Sequence, residues 1–177
     1  LAISVFIVTA IHGPTASAAN AADWKAGRII DDMLFFKANA MSTEEIQAFL
    51  NSKVPVCDTW GQKMYSNTQT RAQRGASKGV PPPYVCLKDY QENPTTKANN
   101  LATAGAVEGG WSAAQIIKYA ADTYNISPKA LIVLLQKEQG LVTDEWPWPG
   151  QYRSATGYGC PDTAPCDAQY YGFYNQV

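Results

Sequence analysis

One carboxylate stands out by its position. In "ISPKALIVLLQKEQG", residues 126–140, the apolar residues Leu131, Leu134 and Leu135 recur at helical spacing, and Glu138 falls three and four residues beyond Leu135 and Leu134. The spacing predicts that Glu138 lies on the dry stripe of a helix, one turn from its end. Desolvation penalises the charged form of a carboxyl group, and the negative end of the helix dipole acts in the same direction. A Glu so placed keeps its proton longer than an exposed one, which is what a general acid at near-neutral pH needs. Lys137 is adjacent in sequence, and neighbouring helical residues point apart, so the reading leaves it unpaired with Glu138. The plainer reading is a Glu at the edge of the stripe with its head in water.

Beyond Gly140 the chain becomes rich in aromatics, among them Trp146, Trp148, Tyr152, Tyr158, Tyr170 and Tyr174. Aromatic rings stack on the apolar faces of sugars, so these six are candidate substrate-binding residues for a carbohydrate; filling a core is the competing use. A second catalytic carboxylate, if the chemistry needs one, would come from Asp144, Glu145, Asp162 or Asp167. Asp162 leads, because Pro161 and Cys160 stiffen its position. The one histidine, His12, lies in an N-terminal segment read below as removable, which excludes His-dependent triads and His-ligated zinc from the mature chain. There is no G-x-S-x-G, no P-loop and no dinucleotide fingerprint. No metal or cofactor is expected.

The elements that must hold Glu138 are helical. Ser42 with Glu45 makes a capping box ahead of Ile46, Phe49 and Leu50, and Ser112 with Gln115 makes another ahead of Ile116, Ile117, Ala120, Ala121 and Tyr124. Asn125 ends the second helix. Ser127 caps the third, with Pro128 at its first position and Gly140 as its stop. Helices are therefore expected near 42–53, 112–124 and 127–139, the last two forming an αα-hairpin. The fold class is mainly α, with α+β as the variant, and the remainder is loop-rich. Residues 61–83, polar and ending in three prolines, read as a long exposed excursion, and 88–110 as loop with a short helix.

The N-terminal run "LAISVFIVTAI" is apolar but too short to span a bilayer. Gly13-Pro14 and two A-x-A patterns follow, so residues 1–19 read as the later part of a secretory signal, cleaved near Ala19 or Asn20. An exported chain with four cysteines, Cys57, Cys86, Cys160 and Cys166, is expected to carry two disulfides. Three pairings are possible, and sequence proximity favours Cys57–Cys86 and Cys160–Cys166. A four-thiolate zinc site lacks its C-x2-C spacing. After the signal the expected division is an N-terminal helical and loop region over 23–98 and a catalytic region over 99–177. "FYNQV" supplies no terminating signal, leaving room for the chain to continue. Over 177 residues the formal charge is -1, with 46% hydrophobic and 16% charged residues, which suits a globular domain and supplies no basic footprint for nucleic acid or an anionic membrane surface.

"YNISPKALIVLLQKEQG" resembles the helix-turn-helix of lysozyme-like peptidoglycan hydrolases, especially the lytic transglycosylase and goose-type lysozyme group, in which a similar Pro-to-Glu pattern ends in the catalytic Glu. "SATGYGCPD", residues 154–162, stands where that group has a Gly-containing loop. The resemblance covers roughly Trp111 to Val177. In this sequence Gln139 follows the Glu where the group has Ser, and "ATGYGCPD" lacks its G-L-M-Q run. "LLQKEQGLVT" together with "ATGYGCPD" also resembles secreted bacterial proteins. The resemblance implies a lysozyme-like helical domain, secreted or associated with the cell wall. It further implies peptidoglycan or a related glycan as partner, and Glu138 as the acid that protonates the bond between N-acetylmuramic acid and N-acetylglucosamine. A transglycosylase needs no second carboxylate. An inverting hydrolase needs a base about 6.5–9.5 Å from the acid, with Asp162 the first choice here. A non-catalytic glycan-binding module and a disulfide-held surface or adhesin-like domain are the other two classes; neither needs Glu138 on a dry helix end.

Overall fold

A computed structural model describes residues 25–27, 29–94 and 110–177. The chain divides into two units, Leu1–Asp31 and Asp32–Val177. The expected signal, its cleavage site and His12 lie outside the described residues, as do 95–109 of the expected loop and short helix.

The second unit is mainly α with two small sheets. Its elements are α1 (Asp32–Phe35), α2 (Thr43–Lys53), β1 (Met64–Ser66), β2 (Gln69–Thr70), α3 (Arg71–Ala76), β3 (Gln91–Glu92), β4 (Trp111–Ser112), α4 (Ala113–Tyr124), α5 (Pro128–Gln139), α6 (Pro149–Arg153) and α7 (Phe173–Gln176), with short 3-10 turns between them. β1 pairs with β2, and β3 with β4, both antiparallel.

The three long helices form where local signals put them. Ser42 and Ser112 accept from the backbone N–H of Glu45 and Gln115, whose side chains accept in return from the cap N–H groups, closing both capping boxes. Asn125 and Gly140 end α4 and α5 in the left-handed region, with φ of 52° and 68°. Ser127 holds the N-cap position of α5 but its side chain makes no cap bond. It is buried, and its N–H donates to the Phe35 carbonyl at 2.7 Å, tying α5 to α1.

The core draws Ile46 and Leu50 from α2, Ile116 and Ile117 from α4, and Leu131, Ile132 and Leu135 from α5, joined by Leu87, Tyr90, Leu141, Tyr152 and Phe173. Residues from both sides of the division expected at 98/99 thus share one core. Burying each large side chain contributes about 1.5–3 kcal/mol. Tyr90 and Tyr152 stack with centroids 4.0 Å apart, and Phe173 meets Tyr90 edge-on at 5.4 Å. Two sequence expectations need correction. Ile132, not Leu134, completes the buried face of α5, and Leu134 is 37% exposed. Tyr124, expected on the inner face of α4, is largely exposed.

Both disulfides form as Cys57–Cys86 and Cys160–Cys166, which occupies all four thiols. The first closes the 61–83 excursion, and loop-closure entropy for that separation is worth about 3–4 kcal/mol. The excursion is ordered, contrary to the expectation of a bare loop. It holds the β1–β2 hairpin and α3, capped by Thr70 with Gln73. Gly75 lets Tyr84 approach so closely that a Cβ there would sit 1.9 Å from the Tyr84 hydroxyl, which donates to the Val80 carbonyl at 2.9 Å. An ion-pair clasp fixes the excursion to the segment after α5: Arg71 meets Glu145 at 2.7 Å and Asp58 at 3.3 Å, and Lys63 pairs with Glu145 as well.

Candidate functional site

The site begins at the C-terminal end of α5. Its buried face runs through Pro128, Leu131, Ile132 and Leu135. Continuing by four residues leads to Gln139, which is half-buried, and leaves Glu138 at the edge of that face. The Glu138 side chain is 31% exposed, and its Oε1 pairs with Lys137 Nζ at 2.6 Å. The dry environment expected for it is therefore not there, and Lys137 is its partner after all. Helical geometry does point these adjacent side chains apart, but both are long and lie at a surface, so their ends can converge.

The other carboxylate oxygen faces a loop. A Cβ on Gly157 would stand 3.9 Å from Glu138 Oε2, and Gly157 has φ of 74°, a conformation that glycine adopts without strain. A chain of amides holds loop and helix end together. Gln139 Nε2 donates to the Ser154 carbonyl at 3.1 Å, and Gln151 Nε2 donates to the Gln139 carbonyl and to Asp144, both at 2.9 Å. Asp144 also accepts from the Trp146 N–H at 2.8 Å.

Tyr158, next after Gly157, opens onto a groove of about 480 Å³ lined by Tyr119, Tyr124, Tyr158, Tyr170, Tyr174 and Asn175 among others, with no charged side chain in its lining. Gln176 builds its floor. This buried amide donates to the carbonyls of Tyr158 at 3.0 Å and Tyr170 at 2.7 Å, and accepts from the Thr156 N–H at 3.1 Å. Tyr158 meets Tyr170 edge-on at 4.7 Å, inside a loop closed by Cys160–Cys166 and by the Asp167 N–H donating to the Gly159 carbonyl at 2.7 Å. On the opposite wall Tyr174 stacks on Tyr119 at 5.9 Å, with Trp111 edge-on to Tyr119 at 5.2 Å. Burial, then a hydrogen bond shared with Tyr119, raises the Tyr174 phenol above its ordinary pKa.

Of the six aromatics proposed for substrate, Tyr158, Tyr170 and Tyr174 come together in this groove. Tyr152 does not. It is 2% exposed, stacked on Tyr90, and donates its hydroxyl to the Val85 carbonyl at 2.6 Å, so it is a core residue. Trp146 and Trp148 pack on each other at 5.2 Å, and Trp146 also lies against Tyr84, Tyr65 and the Arg71 guanidinium. They serve the clasp and do not line the groove. Among the candidate bases, Asp144 bridges α5 to α6, Glu145 is held by Arg71 and Lys63, and Asp167 accepts from the Gln169 N–H. Asp162 is exposed and makes no hydrogen bond or ion pair with the described residues.

Tyr119, Tyr124 and Asn175 were not anticipated. Tyr119 and Tyr124 carried a signal, being large aromatics toward the end of an amphipathic helix whose inward positions Ile116, Ile117, Ala120 and Ala121 already fill. Among the described residues no group of three or more His, Cys, Asp or Glu side chains could hold a metal ion, and no helix is long and apolar enough to cross a membrane. Compared with protein-family models, curated proteins and solved structures, the chain matches none.

Proposed function

We propose that the protein is an exported enzyme that cleaves the MurNAc–GlcNAc backbone of peptidoglycan, with Glu138 as the proton donor. The observation that carries this reading is the juxtaposition at Gly157: the Glu138 carboxylate faces that residue, and the next residue, Tyr158, lines an uncharged, tyrosine-walled groove. Phenol rings supply apolar faces for sugar rings, and their hydroxyls with Asn175 supply polar contacts. A glycan seated over Glu138 would displace water and supply the desolvation that the free protein lacks, favouring the protonated acid at the moment it is needed.

In the reaction the glycosidic oxygen takes the Glu138 proton as its bond to the muramoyl anomeric carbon breaks. The muramoyl 6-hydroxyl oxygen then bonds to that carbon and returns its proton to Glu138. This transglycosylase outcome uses one carboxylate. It is favoured here because Asp144, Glu145 and Asp167 are engaged in structural bonds. A hydrolase would have to recruit Asp162. Two disulfides are compatible with an oxidising compartment outside the cytoplasm.

The exposed, ion-paired state of Glu138 favours a second reading, a glycan-binding module without catalysis. Digestion of purified peptidoglycan separates the two. Cleavage by the wild type that Glu138→Gln loses supports the enzyme, and binding without cleavage by both supports the module.

A further inference from the structure

Glu92 is the most buried carboxylate among the described residues, 3% exposed, and neither the acid chemistry nor the clasp uses it. Its Oε2 accepts from the Tyr90 hydroxyl at 2.7 Å and the Phe173 N–H at 2.9 Å, and its Oε1 accepts from the Tyr174 N–H at 3.1 Å. These last two bonds run across more than eighty residues of sequence, from β3 to the first turn of α7. Its backbone pairs with Trp111 in β4, and Gly110 lies so close that a Cβ there would come within 2.8 Å of the Glu92 carbonyl. Trp111 in turn packs on Tyr119 and Tyr174. One side chain and its backbone therefore touch both the strand beneath the groove wall and the turn that carries Tyr174.

We infer that Glu92 is the positioning residue of this groove, setting the place of Tyr174 against Tyr119 and so the width of the site that takes the sugar. The inference rests on the glycan-cleaving reading above. The carboxylate is needed in full because three donors converge on it. A Gln has one acceptor oxygen, so in either orientation its NH2 would face a backbone N–H, of Phe173 or of Tyr174, which then loses its partner in a buried place. The wall would shift while Glu138, held on α5 by a separate set of amides, stays where it is.

The test is Glu92→Gln beside Leu50→Ala, a core truncation in α2 that lowers stability without touching the groove. Steady-state cleavage of solubilised peptidoglycan chains should show KM raised about tenfold in Glu92→Gln, as expected for one lost polar interaction, with kcat unchanged. Leu50→Ala should keep the wild-type KM. An unchanged KM in Glu92→Gln, or an equal rise in both variants, overturns the inference and leaves Glu92 a stabilising residue only. If the wild type neither cleaves nor binds these chains, the glycan reading falls. The positioning claim is then decided by the ring resonances of Tyr119 and Tyr174 in 1H–13C spectra. Shifts in Glu92→Gln that Leu50→Ala does not show support it, and unmoved rings refute it.

Discussion

Replacing Arg71 with Met tests whether the clasp, rather than the disulfide alone, fixes the 61–83 excursion. Met keeps an apolar stem over Trp146 and removes only the guanidinium. The charges sit in unequal surroundings: the side chain of Asp58 is 5% exposed, that of Arg71 21% and that of Glu145 33%. Exposed pairs contribute about 0–1 kcal/mol, whereas removing one partner of a buried pair costs about 3–5 kcal/mol. Asp58 is not orphaned by the change, because the N–H groups of Gln62 and Lys63 still donate to it at 2.7 and 3.1 Å. Glu145 can turn to water. The loss should therefore fall between the two limits, at about 2 kcal/mol including the guanidinium–indole contact, which lowers Tm by about 4–8 °C in a domain of this size. Thermal unfolding followed by circular dichroism measures it. Arg71→Met with Glu145→Gln should show non-additivity in a double-mutant cycle, whereas Lys63→Met, at a side chain 52% exposed, should cost well under about 1 kcal/mol. A Tm for Arg71→Met within error of wild type, or full additivity with Glu145→Gln, would refute the clasp.

Two pH predictions follow from the same structure. The Lys63 and Arg71 hydrogen bonds hold the Glu145 carboxyl below its usual pKa of 4.5, so its stabilisation is present above that value and is lost as pH falls through the lower folded value. Glu145→Gln should flatten the acid side of a Tm-versus-pH curve, and a curve as steep as wild type would contradict this. At the alkaline end, burial foremost pushes the phenols of Tyr90 and Tyr152 up, with the Glu92 carboxylate adding to it at Tyr90. The unfolded chain then ionises these phenols first, so stability is retained below the ordinary tyrosine value and declines as pH rises beyond it. Ultraviolet titration should show Tyr90 and Tyr152 ionising only together with unfolding. In Tyr152→Phe that coupled fraction should shrink, and unchanged amplitude would argue against its burial.

What was legible in the sequence was local. The capping boxes at Ser42 and Ser112, Pro128 at a first helical turn and Gly140 at a last one act within a few residues, so α2, α4 and α5 could be bounded closely. The Thr70–Gln73 box was equally local, but no apolar run follows it, and α3 was overlooked amid polar residues. The face of α5 was less legible because Leu134 and Leu135 offer two nearly equivalent stripes. Which one turns inward depends on Ile132 finding a place in the shared core, and that choice moved Glu138 to an edge. Glu92 and Gln176 were illegible for a different reason. Their partners at Phe173 and Tyr158 are fixed only by the tertiary fold, and nothing in "DYQEN" or "FYNQV" marks a buried carboxylate or amide. Similarly, Trp146 and Tyr152 carry the composition of a sugar site but are spent on packing.

The central claim is that Glu138 donates a proton to a glycosidic oxygen. Its most direct test is digestion of purified peptidoglycan by wild type and Glu138→Gln, with mass spectrometry of the released muropeptides and a thermal melt of both proteins. The amide keeps the shape of the side chain, and Glu138 lies at the surface, so the two melts should agree. Wild type should release products with 1,6-anhydro ends, and the variant should be slower by about 10²–10⁴-fold, the usual worth of general acid–base catalysis. Equal cleavage by both proteins, or no cleavage by either, would contradict the account.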